Sequence, residues 1–248
     1  MNAEPEVQLR LLDLQAVDAR LAQLAHRRRS LPELATIAEL GARLAAIQDR
    51  IVAAQTECSD LDRAQHKADL DVEQVRTRST KDQELLDSGR ITSAKDLESL
   101  QHELASLARR QSELEDVELE VMERLEDARA ALSDLTAERD RLQAELAVVE
   151  QSRDAAFADL DGDRSLAAAE RDRLAPGIPA ELATLYDKLR ADHDGVGAAA
   201  LRHGSCEGCR MQLTPVDLAR IRSAAPDEVL RCEECRRILV RTPESGLA

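Results

Sequence analysis

The sequence is poor in aromatic residues and in long apolar runs. Its 248 residues include one Tyr, one Phe and no Trp, so few bulky side chains are left to build the deep interior of an enzyme. No apolar stretch approaches the ~20 residues that cross a bilayer, and the opening segment "MNAEPEVQLR" lacks the basic flank and apolar stretch of a secretory signal. We therefore expect a cytoplasmic protein with no membrane partner.

Motifs of enzymes are missing as well. The sequence has no phosphate-cradling glycine loop, no Ser, His and acid set in a recognisable context, and no metal motif with an open coordination position. Its formal net charge of −15 argues against a surface that coats nucleic acid, because phosphate binding needs concentrated Lys and Arg. We predict that the protein is not an enzyme and that any nucleic-acid site is local.

Charged residues, by contrast, make up 33% of the chain, and Ala, Leu, Glu and Arg dominate its composition, which favours long helices. Apolar residues recur at alternating spacings of three and four in two stripes, 37–75 and 97–160. This mean repeat of about 3.5 residues is typical of a supercoiled helical seam. The sequence therefore predicts two long helices that pair with each other.

Between the stripes lies "LLDSGRITSAKDLESL", in which Gly89 suits a helix end and Ser93 a helix start. This predicts an antiparallel hairpin over residues 1–175 with its tip near 87–94, in a register that places Ile51 opposite Ala128. The Leu31-Pro32 pair predicts a kink near 31–32, because proline disrupts a helix interior. Beside the kink, "HRRRS" at 26–30 fits either a phosphate contact or, more simply, a solvated helix face.

Four cysteines form two closely spaced pairs near the end of the chain, Cys206-x2-Cys209 and Cys232-x2-Cys235. Two such pairs can hold one tetrahedral Zn²⁺, and because all four ligands come from the protein the ion is structural. A redox Cys-x-x-Cys motif is the nearest alternative but needs no second copy, and disulfides do not fit a chain without an export signal. We predict that residues 176–248 form a connecting helix and a zinc ribbon with short β-strands, which makes the fold class mainly α.

Several segments together resemble the bacterial family of coiled-coil hairpins that end in a four-cysteine zinc ribbon. They are "SGRITSAKDLESLQHEL" at the tip, then "IPAELATLYDKLR", "GVGAAAL", "CEGCRMQL" and "CEECRRILV", so the resemblance covers nearly the entire chain. The second knuckle of that family usually reads Cys-Pro-x-Cys-Gly-Arg-Ile-Leu, whereas Glu233 and Arg236 replace the proline and glycine here.

The resemblance implies a non-enzymatic adaptor. A flagellar branch of the family is reported to bind the nitrogen-class alternative sigma factor and messenger RNA, and other members are linked to secretion components. We accordingly expect a protein partner, with nucleic acid as a further candidate at the ribbon, in transcription or RNA-linked regulation. The sequence identifies neither the partner nor the oligomeric state.

Candidate partner-binding residues stand outside the predicted seam, at the tip and at the ribbon: Arg90, Ile91, Lys95, Arg210, Arg236 and Arg237. The ribbon arginines suffice for phosphate contacts, but no aromatic residue accompanies them for base stacking, which predicts weak sequence selectivity. The alternative is a purely structural or self-assembling coiled-coil rod.

Overall fold

The structure is a computed structural model that describes residues 1–247, most of which are helical. The helices are α1 (Pro5–Arg29), α2 (Pro32–Asp87), α3 (Ala94–Leu174), α4 (Ala180–Asp192) and α5 (Pro215–Ser223), with a 3₁₀ turn at Ala175–Gly177. The strands are β1 (Ala198–Arg202), β2 (Ser205–Cys206), β3 (Leu230–Arg231) and β4 (Ile238–Arg241). The predicted fold class is confirmed: long helices form a hairpin, and short strands follow them. Over residues 1–247 no helix combines the length and the apolar character needed to cross a membrane.

The long helices end where proline and glycine interrupt them. Helix α1 stops at Arg29 and α2 starts at Pro32, a first helical position where the missing N–H of proline costs nothing. Helix α2 ends at Asp87, and Gly89 follows with a φ of +64°, a conformation that glycine adopts readily. Ser93 then accepts a hydrogen bond from the Asp96 N–H at 3.4 Å as α3 begins, so the tip comprises residues 88–93.

The chain divides into two compact units, the first made of residues 1–34 and 151–248 and the second of residues 35–150. This division differs from the predicted domain boundary between residues 175 and 176. The reason is that α1 packs against β1 and β4, so residues assigned to the hairpin from sequence share a core with the ribbon.

The second unit is an antiparallel pair formed by α2 and the adjoining part of α3. Its seam contains two clusters of buried apolar residues, one around Leu40, Ile47 and Leu142 and one that joins Cys58 and Leu61 to Leu125 and Ala128. An interhelical ion pair between Arg129 and Asp62 at 2.7 Å flanks the second cluster.

The contacts at Ala128 differ from the predicted register, whereas Leu44 and Leu135, which that register also places opposite each other, share a cluster. Ala128 clusters with Cys58 and Leu61, whereas the sequence placed it opposite Ile51. The apolar stripes repeat every seven residues, so an axial shift of one or two turns still brings apolar residues together. The stripes therefore identify the buried face of each helix without determining its axial position.

The first unit contains a four-stranded sheet with the order β2-β1-β4-β3. Strands β1 and β4 are parallel neighbours, and each carries a short antiparallel strand on its outer edge. Side chains alternate between two apolar clusters along β4: Ile238 and Val240 join the cluster with α1 and α4, whereas Leu239 joins the cluster that contains Cys206 and Cys232. Both faces of the sheet are thus covered, which is why β1 is nearly all buried.

Buried polar contacts join α1 to the start of β1. The Gln15 side-chain oxygen accepts from the Gly197 N–H at 2.7 Å, and its amide nitrogen donates to the Gly195 carbonyl at 3.0 Å. The segment before α1 also pairs with the chain near β3: the Ala3 N–H donates to the Asp227 carbonyl at 2.7 Å, and the Val229 N–H donates to the Met1 carbonyl at 3.1 Å. Residues from the two ends of the sequence therefore build one core.

Helix α5 was not predicted from the sequence. Its start has a clear local cause, because the Thr214 hydroxyl accepts from the Asp217 N–H at 3.1 Å and Pro215 takes the first helical position. The run "TPVD" is the signal that predicts it. The helix buries Ile221 in the cluster beside the cysteines.

Candidate metal centre

Two turns of the same design position the four cysteines. Cys206 ends β2 and Cys232 directly follows β3, so the sheet fixes the first cysteine of each pair. The Arg210 N–H then donates to the Cys206 carbonyl at 2.7 Å, and the Arg236 N–H donates to the Cys232 carbonyl at 2.9 Å. Each turn brings its second cysteine back toward its first.

The sulfur geometry fits a tetrahedral zinc ion. The four Sγ atoms lie within 4.8 Å of one another, with 3.9 Å between Cys206 and Cys235 and 3.9 Å between Cys209 and Cys232. Zn–S bonds of about 2.3 Å in a tetrahedron place sulfurs about 3.8 Å apart, whereas a disulfide requires about 2.05 Å. The predicted cofactor, one structural Zn²⁺, is confirmed by this geometry: the four cysteines lie close enough together to hold one ion and, as thiolates, would fill its coordination shell.

Backbone N–H groups point at the sulfurs. Cys206 accepts from the N–H groups of Gly208 and Cys209, and Cys232 accepts from those of Glu234 and Cys235. Burial nevertheless raises the pKa of both thiols. Burial opposes ionisation of Cys235 too, but hydrogen bonds with Arg237, Cys232 and Cys209 together outweigh it and lower the pKa of that thiol.

These pKa directions determine how zinc binding responds to pH. A thiol whose pKa is raised is protonated near neutral pH and must lose its proton to become a ligand. Zinc uptake by Cys206 and Cys232 therefore releases protons, and the affinity for zinc increases as the pH rises. The metal in turn supplies folding free energy, since its ligands come from two separate turns.

Gly208 is required by the close packing of the first turn. A Cβ at this position would lie 2.9 Å from the Ala199 Cβ and 3.0 Å from the Arg237 Cδ, and at such distances between non-bonded carbon atoms one of the groups must shift. The turn can therefore lie directly against β1 only because residue 208 has no side chain.

The second turn keeps its geometry although Glu233 and Arg236 replace the proline and glycine of the family pattern. Arg236 has a φ of +62°, and Arg210 at the equivalent place in the first turn has a φ of +59°. Glu233 forms ion pairs with Arg236 at 3.2 Å and with Arg220 at 2.5 Å. Both turns thus hold an arginine in the left-handed conformation that glycine usually adopts.

The candidate partner-binding residues differ in how far they are free to bind. Arg90, Lys95 and Arg210 are exposed. Ile91 is half-buried and lines a cleft of about 460 Å³ at the tip.

Arg237 differs from the other candidates, because its guanidinium donates to the Val196 carbonyl at 2.9 Å and to the His193 carbonyl at 3.2 Å. This side chain connects the residue before β4 to the segment after α4, so its loss should lower the stability of the ribbon as well as affect any partner.

A buried polar cluster in the first unit was missed entirely. The Asp18 carboxylate accepts from the Tyr186 hydroxyl at 2.7 Å and from Arg171 at 2.7 Å, and it pairs with Arg190 at 3.0 Å, while its side chain is 1% exposed. Hydrogen bonding to Asp18 raises the pKa of Arg171, and burial raises the pKa of Tyr186. The signal in the sequence was a carboxylate on the same helical face as Leu11 and Leu14.

Two family models match the chain. One, the CT398-like coiled coil hairpin domain, matches residues 14–194, and the other, the C4-type zinc ribbon domain, matches residues 205–239. A curated relative, an uncharacterized protein of Mycobacterium tuberculosis, is 40% identical over 241 residues, which are 97% of this chain and 98% of the relative.

Solved structures share the fold. A Mycobacterium smegmatis protein superposes with a TM-score of 0.86 at 40% identity, over 98% of this chain and 100% of that one. The CT398 protein of Chlamydia trachomatis superposes with a TM-score of 0.72 at 16% identity, over 96% of this chain and 98% of that one. At 16% identity the likeness is one of fold.

Proposed function

Because the chain belongs to the CT398-like coiled-coil hairpin family and carries a C4-type zinc ribbon, we propose that it is a non-enzymatic adaptor that presents its ribbon and its hairpin tip to partners. A coiled-coil hairpin with a zinc ribbon supports a structural or adaptor role. The proposal goes further in two respects: a protein is the principal partner, and the adaptor acts in transcription or RNA-linked regulation.

The observation that carries the proposal is the exposure of charged side chains that the packing of each unit does not use. At the tip, Arg90 and Lys95 are exposed and stand outside the seam clusters. At the ribbon, Arg210 is exposed at the turn that holds the metal. The zinc site fixes the backbone of that turn, so Arg210 is displayed on a rigid base.

The charges of the ribbon favour protein over nucleic acid as the partner. Arg236 and Arg220 are both paired with Glu233, and Arg202 is paired with Glu207 and Glu244. Arg241, like Arg237, donates to backbone carbonyls. Phosphate contacts depend on clustered, available Lys and Arg, and these pairings leave few of the ribbon arginines available.

In-cell crosslinking with mass spectrometry tests the proposal. Ile91→Ala combined with Lys95→Ala at the tip should remove a specific crosslinked protein, and Arg210→Ala should do the same for a ribbon partner. Lys67→Ala, an exposed substitution on α2 away from the tip, is the matched control and should leave every crosslink in place. Crosslinks unchanged in both the tip and the ribbon variants would overturn the adaptor assignment.

Two further measurements separate the alternatives. Retention of RNA that falls when Arg210 and Arg236 are changed to Ala, with a smaller salt dependence, would identify nucleic acid as the ribbon's ligand. A molecular mass that rises with protein concentration, with no crosslinked partner, would instead identify the self-assembling rod.

A further inference from the structure

The last turn of α1 borders a cleft in the first unit. The cleft has a volume of about 550 Å³ and is lined by residues of α1 and α3, with Arg190 from α4 at one side. This volume lies within the range of small-molecule sites, about 300–1,000 Å³. The arginines of "HRRRS", for which the sequence favours a solvated face, are therefore placed beside a cavity.

The floor of the cleft is apolar. Leu24 and Leu160 are buried side chains of the lining, and the other apolar residues that line it are Leu21, Ala22, Ala25 and Ala168. Apolar lining with a few convergent polar groups is the usual composition of a ligand site.

The two carboxylates at the cleft are already neutralised by intramolecular partners. Asp18 is surrounded by Arg171, Arg190 and Tyr186, and Asp161 accepts from Arg28 at 3.0 Å. Arg28 also lies over the Phe157 ring at 3.9 Å from its centroid. These contacts hold the walls in place and leave no free negative charge at the cleft.

Two further arginines line the cleft without a carboxylate partner. Among residues 1–247, neither Arg29 nor Arg164 forms an ion pair, and both are exposed. In a chain of net charge −15, this cleft is locally positive. The dipole of α1 accounts for basic residues in its own last turn, but it does not account for Arg164, which lies inside α3.

We propose that the cleft binds a small organic anion, a phosphate or carboxylate group joined to an apolar body. Arg29 and Arg164 hold the oxyanion, because guanidinium groups match both carboxylate and phosphate in paired hydrogen bonds. The apolar body covers the floor formed by Leu24, Ala25 and Leu160. This site is separate from the ribbon and the tip, so it does not depend on the adaptor function.

Isothermal titration of the zinc-loaded full chain with phenyl phosphate and with benzoate tests the site. One of these organic anions should bind at one site per chain, about tenfold more tightly than inorganic phosphate or phenol. Inorganic phosphate lacks the apolar body of the ligand, and phenol lacks its anionic group. The tighter of the two identifies the head group. Failure of both organic anions to bind would overturn the assignment, as would equal affinity for phenyl phosphate and inorganic phosphate.

Variants assign the binding to particular residues. Arg29→Gln with Arg164→Gln should weaken binding about a hundredfold, from two charge-assisted contacts of about tenfold each. Arg27→Gln with Arg173→Gln removes the same charge from the same two helices outside the cleft and should leave binding unchanged. Equal losses in the two pairs would show general charge attraction and overturn the site.

A third variant tests the floor and does not rely on the arginines. Ala25→Leu adds bulk to the lining and should weaken phenyl phosphate or benzoate binding while leaving the weak binding of inorganic phosphate as it was. Undiminished binding of the organic anion to this variant, with circular dichroism like that of the unmodified protein, would overturn the placement of the apolar body.

Discussion

Arg210 and Arg236 follow the second cysteine of their pairs in a backbone conformation that costs free energy. Their φ values are +59° and +62°, and the left-handed conformation is unfavourable by about 1–2 kcal/mol for a residue with a Cβ. Arg210 is exposed and forms no ion pair among the described residues. An exposed arginine at a strained position supports its proposed role in recognition.

Arg210→Gly should therefore stabilise the ribbon. We expect a gain of about 0.5–1 kcal/mol, the left-handed penalty less the greater flexibility of glycine in the unfolded chain. The measurement is the rate and extent of zinc release to a competing chelator. Glu234→Gly, at a position of ordinary φ in the other turn, is the control and should weaken zinc retention by about the same amount. Weaker zinc retention in Arg210→Gly than in the unmodified protein would contradict the strain.

Asp18 is a buried anion on which the contacts between α1, α3 and α4 depend. Asp18→Asn removes the negative charge that Arg171 and Arg190 share, and we expect the free energy of unfolding of the first unit to fall by about 2–4 kcal/mol. Urea denaturation followed by circular dichroism measures the loss. Asp163→Asn, whose pair with Arg20 is half exposed, should cost below about 1 kcal/mol, and equal losses would contradict the importance assigned to Asp18.

The sequence identifies some of these residues and hides others for physical reasons. The four cysteines are predictable as metal ligands, because two residues between the cysteines of each pair is the spacing that lets both sulfurs bind one ion. Asp18 and Tyr186 are 168 positions apart, and only the folded chain brings them together. The contacts of Arg237 were hidden because an arginine near a cysteine looks the same in sequence whether it reaches solvent or donates to the Val196 carbonyl.

Among the helices, α1 depends on the zinc ribbon more than the sequence implied. It packs against β1 and β4 and shares a core with α4. Removing zinc with a chelator, or changing Cys232 to Ser, should loosen these strands and thereby raise hydrogen exchange in α1. The seam of residues 35–150 has its own apolar clusters and should keep its protection.

Hydrogen exchange with mass spectrometry follows both regions in one experiment. Cys58→Ser is the matched control, because Cys58 lies in the seam and outside the metal cluster. Unchanged exchange in α1 after zinc loss would show that its apolar core suffices without the metal, and faster exchange in residues 35–150 would show that the two units are coupled.

The helices were more predictable than their partners. The 3.5-residue stripes and the breaks at Pro32 and Gly89 are local signals, so helix ends could be located from neighbouring residues alone. The element that packs against α1 could not be predicted in this way, because an apolar stripe such as Leu11 and Leu14 looks the same in sequence whether it faces a helix or a sheet. Helix α5 is too short for its apolar residues to form a periodic pattern in the sequence, and only its capping residue, Thr214, marks its start.

The division into two compact units predicts that residues 35–150 fold without the rest of the chain. A fragment of these residues should be strongly helical by circular dichroism and unfold cooperatively, because the seam lies wholly within it. Residues 94–150 alone should lose most of this signal, since a helix deprived of its seam partner is marginal in water. A disordered 35–150 fragment would contradict the independence of the second unit.

The pairing of α1 with β4 has a consequence for synthesis on the ribosome. Leu11 and Leu14 belong to the same core as Ile238 and Val240, yet about 200 residues are translated between them. At about 5–20 residues per second, α1 waits about 10–40 s for the strand that covers it. During that interval its apolar face is open to chaperones and to neighbouring nascent chains, so a translational delay between codons 14 and 238 should increase aggregation of this protein more than an equal delay before codon 11.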